Sequence, residues 1–262
     1  HLAGDLFCSP HPVHLPSPYL ERERGVRTIR LIPLVPAILN KMNTDMITYT
    51  ILFINFCLAI SVHEYAHAWA AYRLGDDTAR AQGRMTLNPL AHLDPIGTFC
   101  LLFGYFGWGK PVPVNPANLK DPRRDGVWIS AAGPSANLLL AILFASVLWI
   151  LWIGPGSFLW VGQESLGIMV SAIIMGILLN LSLMFFNLLP IFPLDGEKVI
   201  VGLIPARWVR PVLRLRSYGM VALLVLLASK PLLDFSIIGW LAGKIIYPVY
   251  CLLVPSGLET VF

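Results

Sequence analysis

Charged side chains are what this chain has least of. Asp, Glu, Lys and Arg make up 13% of its 262 residues, against about 25% in a soluble domain. With 56% hydrophobic residues and a mean hydropathy of +0.69, the shortage excludes an ordinary soluble globule and implies a polytopic membrane chain. Paired cysteines are also missing. Cys8, Cys57, Cys100 and Cys251 are scattered without a C-x-x-C spacing, which offers neither a disulfide framework nor a cysteine metal site. No basic-aromatic interleaving accompanies the net charge of +4, so nucleic acid is not an expected partner. Internal repeats and low-complexity tracts are absent too.

What is there begins with a charge-free run from Met46 to Val62 that leads into Ser61-Val62-His63-Glu64-Tyr65-Ala66-His67. Residues four apart project from one helix face, so His63 and His67 can aim two imidazoles at one ion. Two nitrogens at this spacing suit Zn²⁺, and Glu64, about 100° round the same turn, can reach a zinc-activated water as general base. Three ionisable side chains at the end of an apolar span are costly unless they are used.

A first span is expected over roughly Met46 to Leu74, with Gly75 as its stop. Ahead of it, residues 1–41 contain six prolines and the patch Glu21-Arg22-Glu23-Arg24 without sustained periodicity. They are expected to form a poorly ordered N-terminal extension, with the native start near Met42, and residues 42–262 to form one domain with its core over about 46–217. Between 76 and 127 lies the longest polar interval, broken by an apolar run from Pro95 to Gly109 that suits a re-entrant or short tilted helix. Trp108-Gly109-Lys110-Pro111-Val112-Pro113-Val114-Asn115 alternates as no helix would and reads as a strand or hairpin, or else an ordinary surface loop. Spans follow over Ser130 to Ile153 and Ser165 to Leu194, then one or two more within 218–254. The expected fold class is an all-α polytopic membrane protein of about five to six transmembrane helices with a short membrane-associated β-hairpin or strand.

Seven Lys or Arg residues fall in 73–127 and five in 198–216, whereas 154–164 has none. By the positive-inside rule the His63/His67 end faces the cytoplasm. Arg207, Arg210, Arg214 and Arg216 suit a face lying on anionic lipid heads.

A catalytic zinc takes three protein ligands and leaves one position for water. Asp195 is the best candidate for the third, because it ends a long apolar run where a carboxylate needs a partner. Pro190 and Pro193 would break the helix before it and free the backbone to aim the side chain. Asn137 and Asn187 are amides within spans, suited either to holding helices together or to binding substrate backbone.

These motifs together resemble the site-2 protease family of intramembrane zinc metalloproteases, in its compact bacterial branch. The resemblance rests on His63-Glu64-x-x-His67, on Gly83-Arg84-x-Thr86-Leu87-Asn88-Pro89 with His92-x-Asp94-Pro95-Ile96-Gly97, on Gly133-Pro134-x-x-Asn137, and on Asn187-x-x-Pro190-x-x-Pro193-Leu194-Asp195-Gly196. It implies one zinc ion on His63, His67 and Asp195, Glu64 as base, and Asn137 and Asn187 near the substrate. Glu197 departs from the family pattern, where a small residue is common, and 76–127 is too short for the PDZ domain many relatives carry. The implied activity is hydrolysis of peptide bonds in or near transmembrane segments of protein or peptide substrates, in a bacterial inner membrane and on its cytoplasmic side. A membrane metal transporter or an inactive scaffold are the alternatives; the first has no need of Glu64, and the second would be expected to lack part of the set.

Overall fold

The computed structural model describes residues 46–104, 107–153, 163–229 and 236–255; the expected N-terminal extension lies outside them. Helix α1 (Met46–Arg73) ends as its sequence requires. Gly75 takes a φ of 107°, and the amides of Gly75 and Asp76 turn back to the carbonyls of Tyr72 and Ala71, a Schellman closure that L side chains resist. Two short elements follow, α2 (Thr78–Ala81) and α3 (Pro95–Gly104). At 1.5 Å per residue α3 is about 15 Å long, half of an ~30 Å hydrocarbon core.

Helix α4 (Pro122–Ile153) starts eight residues ahead of the expected Ser130. Asp121 explains the early start: its Oδ1 accepts from the amides of Arg123 and Arg124, an N-cap with proline in the first helical position. Pro134 sits buried inside α4, and the helix continues past it. Helix α5 (Gln163–Asn187) is followed by a break across the prolines at 190 and 193, then α6 (Asp195–Leu203), α7 (Ala206–Leu227) and α8 (Ile237–Leu253).

Helix α4 is the hub, packed against α1, α5 and α6. On its inner face Ala141 and Ala145 let Ile174 and Ile177 of α5 approach closely, and all four are buried. Its outer face carries Leu139, Leu143 and Ile150, exposed at 66%, 60% and 71%. Large apolar residues outside and small ones between helices is the arrangement lipid selects.

Three helices are long and apolar enough to cross a membrane, Met46–Arg73, Pro122–Ile153 and Leu166–Asn187, and α8 is a shorter apolar helix. That gives three to four spans among the described residues, fewer than the expected five to six. The difference arises at α3, which is too short, and at α7, whose first half spends its surface on Arg207, Arg210, Arg214 and Arg216.

No strand occurs among the described residues. The segment 107–115 is extended, yet its pairing stops at one antiparallel bridge between Leu93 and Gly109. Pro111 and Pro113 have no N–H to contribute to a ladder, and the one amide between them, that of Val112, is spent on Glu64. The expected hairpin is therefore an extended strap. The strap is held at both ends. Arg84 donates to the Lys110 carbonyl at 2.7 Å. Buried Asp76 accepts from the Asn115 amide at 2.7 Å, from Asn118 Nδ2 at 2.8 Å and from Thr78. Burial alone would push the Asp76 carboxyl up, but these hydrogen bonds outweigh it and hold it below the usual carboxylate range.

Candidate metal centre

One turn of α1 carries His63, Glu64 and His67, all buried. Each imidazole is oriented by its outer nitrogen. His67 Nδ1 lies 2.7 Å from the Ile129 carbonyl, which can only accept, so this nitrogen carries the proton. His63 Nδ1 lies 2.6 Å from Asn137 Oδ1. The amide's orientation is set by Asn137 Nδ2, which donates to Asn180 Oδ1 at 2.8 Å and to the Ala59 carbonyl at 3.3 Å. Both Nε2 atoms therefore present lone pairs inward.

Asp195, the first residue of α6, meets them there. Its Oδ2 is 3.2 Å from His63 Nε2 and 3.1 Å from His67 Nε2, and the two Nε2 atoms are 3.0 Å apart. Three lone pairs aimed at one point repel unless a cation lies among them. The donor set also has the right size: bonds of 2.0–2.1 Å around a tetrahedral zinc put ligand atoms about 3.3 Å apart. Among the described residues this is the group of His, Cys, Asp and Glu side chains able to hold a metal ion.

Gly133 makes the convergence possible. A Cβ there would stand 2.4 Å from His67 Nε2 and 2.6 Å from His63 Cε1, so α4 can floor the centre only with a glycine. Gly196 has a similar role beside Asp195, where a Cβ would meet the Leu188 carbonyl at 2.3 Å.

A cavity of about 660 Å³ opens from the centre, walled by α1, the strap, α4, α5, α6, α7 and α8. Glu64 is on its wall, with Oε2 accepting from the Val112 amide at 2.9 Å. Asn187 also lines it, its Nδ2 bonded to the Leu183 carbonyl at 3.0 Å. Asn137 does not. It is fully buried behind His63, and both ends of its amide face protein partners. The sequence reasoning passed over Asn180, visible as a polar residue in an apolar run, and over the Ile129 carbonyl and Val112 amide, which as backbone groups leave no trace in side-chain pattern. Lys198, counted only for membrane orientation, proves to be part of the cavity wall.

The architecture and this site define a class: a helical membrane chain with a His-His-Asp centre of metal-binding type built on H-E-x-x-H. Comparison with known sequences narrows it. The chain is 42% identical over 187 residues to "Putative zinc metalloprotease YwhC" of Bacillus subtilis, an alignment covering 68% of this chain and 80% of that protein. It is 28% identical over 201 residues to "Putative zinc metalloprotease Rip2" of Mycobacterium tuberculosis, covering 74% and 73%. To the Mycolicibacterium smegmatis Rip2 it is 27% identical over 189 residues, covering 70% and 69%. No family model and no solved structure matches it. The chain belongs to the site-2 protease family.

Proposed function

We propose that this chain is an intramembrane zinc metalloprotease that cleaves peptide bonds in or near transmembrane segments of its substrates, from the cytoplasmic side of a bacterial inner membrane. The observation that carries the reading is the meeting of His63, His67 and Asp195 within 3.2 Å across 128 residues of sequence, with Glu64 on the adjoining cavity wall. His63, His67 and Asp195 would hold the ion. Zinc there supplies Lewis acidity, polarising the scissile carbonyl and lowering the pKa of water towards ~7.

The rest of the work falls to this chain's own groups. Glu64 takes a proton from the attacking water and delivers it to the departing amine, so the carboxylate is regenerated each turnover. The Val112 N–H holds Glu64 on the cavity side. The strap, extended beside Glu64, suits a substrate unwound into extended form. Asn187 on the cavity wall suits the substrate backbone, and Asn137 orients His63.

The test uses the purified protein in liposomes with a transmembrane model substrate. Glu64→Gln retains zinc and loses cleavage by at least about a hundredfold; retained cleavage removes Glu64 from the mechanism. Asp195→Asn loses zinc during dialysis, and unchanged metal content removes it from the ligand set. Zinc flux into the liposomes without cleavage would favour a transporter.

A further inference from the structure

Of the ionisable side chains that wall the cavity, four are accounted for: His63, His67 and Asp195 form the metal centre, and Glu64 is bonded to the strap. The fifth is Lys198. It stands three residues after Asp195 on α6, so the two side chains leave neighbouring positions on the same helix. The nearest acid in sequence, Glu197, does not neutralise it. Glu197 is buried and takes both its bonds from Arg216, Nε to Oε1 at 3.2 Å and Nη2 to Oε2 at 2.9 Å. Most of the remaining wall is apolar, with residues such as Phe56, Ile60, Leu223 and Ile246. Lys198 itself is exposed, so its ammonium can be reached by an anion that enters the cavity.

We propose that Lys198 is a specificity-determining residue that binds a carboxylate of the peptide substrate. This rests on the protease reading above. Two sources supply that chemistry: an Asp or Glu side chain close to the scissile bond, or the new C-terminal carboxylate released by cleavage. In either case the charge pair forms beside the metal centre. A side-chain carboxylate would fix the peptide's register along the cavity and select which bond is presented to Glu64, whereas the product terminus would be held there after cleavage.

The test pairs transmembrane substrates that differ only in Glu against Gln at positions flanking the cleavage site, assayed with the zinc-loaded protein in liposomes. If the side chain is the source, the wild type prefers the Glu substrate about tenfold in kcat/KM, an effect of one charge-assisted pair. Lys198→Met brings the ratio to about one, Lys198→Arg keeps it and Lys198→Glu inverts it. If the product terminus is the source, the free-acid product peptide inhibits the wild type about tenfold better than its C-terminal amide, and Lys198→Met erases that difference. Either pattern supports the assignment. Cleavage by the wild type with both ratios unchanged in Lys198→Met overturns it while leaving the protease reading intact. A zinc-loaded wild type that cleaves neither substrate overturns both.

Discussion

At the scale of single residues, Asn137 shows how much of a metal centre lies outside its ligands. Its Oδ1 accepts from His63 Nδ1 at 2.6 Å, and its Nδ2 is tied to Asn180, whose own Nδ2 donates to the Gly176 carbonyl. This amide chain runs through α1, α4 and α5, and it fixes the tautomer that leaves Nε2 free for metal. Asn137→Leu is expected to weaken zinc affinity by about 10–100-fold while the helices stay assembled. Competition against a chelator checks it, with circular dichroism as the folding control. Asn137 was legible as an unusual amide in an apolar span. Its direction was not, because orientation depends on neighbours 43 and 74 residues away.

At the scale of elements, Asp195 is placed by how its loop and α7 are fastened. Helix α7 is exposed along most of its length, with only Gly219 and Leu223 buried. Gly219 allows contact with Phe192, where a Cβ would stand 2.7 Å from the ring-bearing Cβ. Arg216 lies over the Phe192 ring at 5.1 Å and grips Glu197 with two hydrogen bonds. One side chain thus fastens α7 both to the loop before Asp195 and to the helix after it. Arg216→Met leaves the buried Glu197 carboxylate without its partner and is expected to cost about 2–3 kcal/mol. Pairing it with Glu197→Met recovers most of that loss, because no charge is then stranded. Thermal melts of the two singles and the double close the cycle. Sequence reading marked Glu197 as out of pattern and assigned Arg216 to lipid heads. Their pairing needed the fold, since nothing in a spacing of 19 residues requires α7 to turn back onto α6.

At the scale of the whole molecule, the polar interval after α1 is drawn together by a few buried groups, among them Asp76, which joins the turn after α1 to Asn115 and Asn118. Its folded pKa lies below the unfolded value, so its contribution is fully present above the ordinary carboxyl range near 3.9 and is lost as pH falls through the lower, folded value. Asp76→Asn is expected to cost about 2 kcal/mol at pH 7. The gap between variant and wild type should narrow on acidification below about pH 4. Melting in detergent across pH 3 to 7 reads both.

Taken by itself, the sequence determined that this chain carries helices long and apolar enough to cross a membrane, and which side chains could hold a metal. Both follow from one-dimensional costs: a charge-free run long enough to span, and ionisable residues too costly to leave there unused. The four-residue spacing of His63 and His67 needed only helix geometry. Tertiary structure alone decided that Asp195 arrives 3.1 Å from His67, that residues 107–115 form a strap on Glu64 and not a hairpin, and that Asn137 faces a histidine while Lys198 faces the cavity. Each of these depends on contacts between distant segments. Such contacts are set by which helix faces can approach, down to the missing Cβ of Gly133, and no local pattern encodes that.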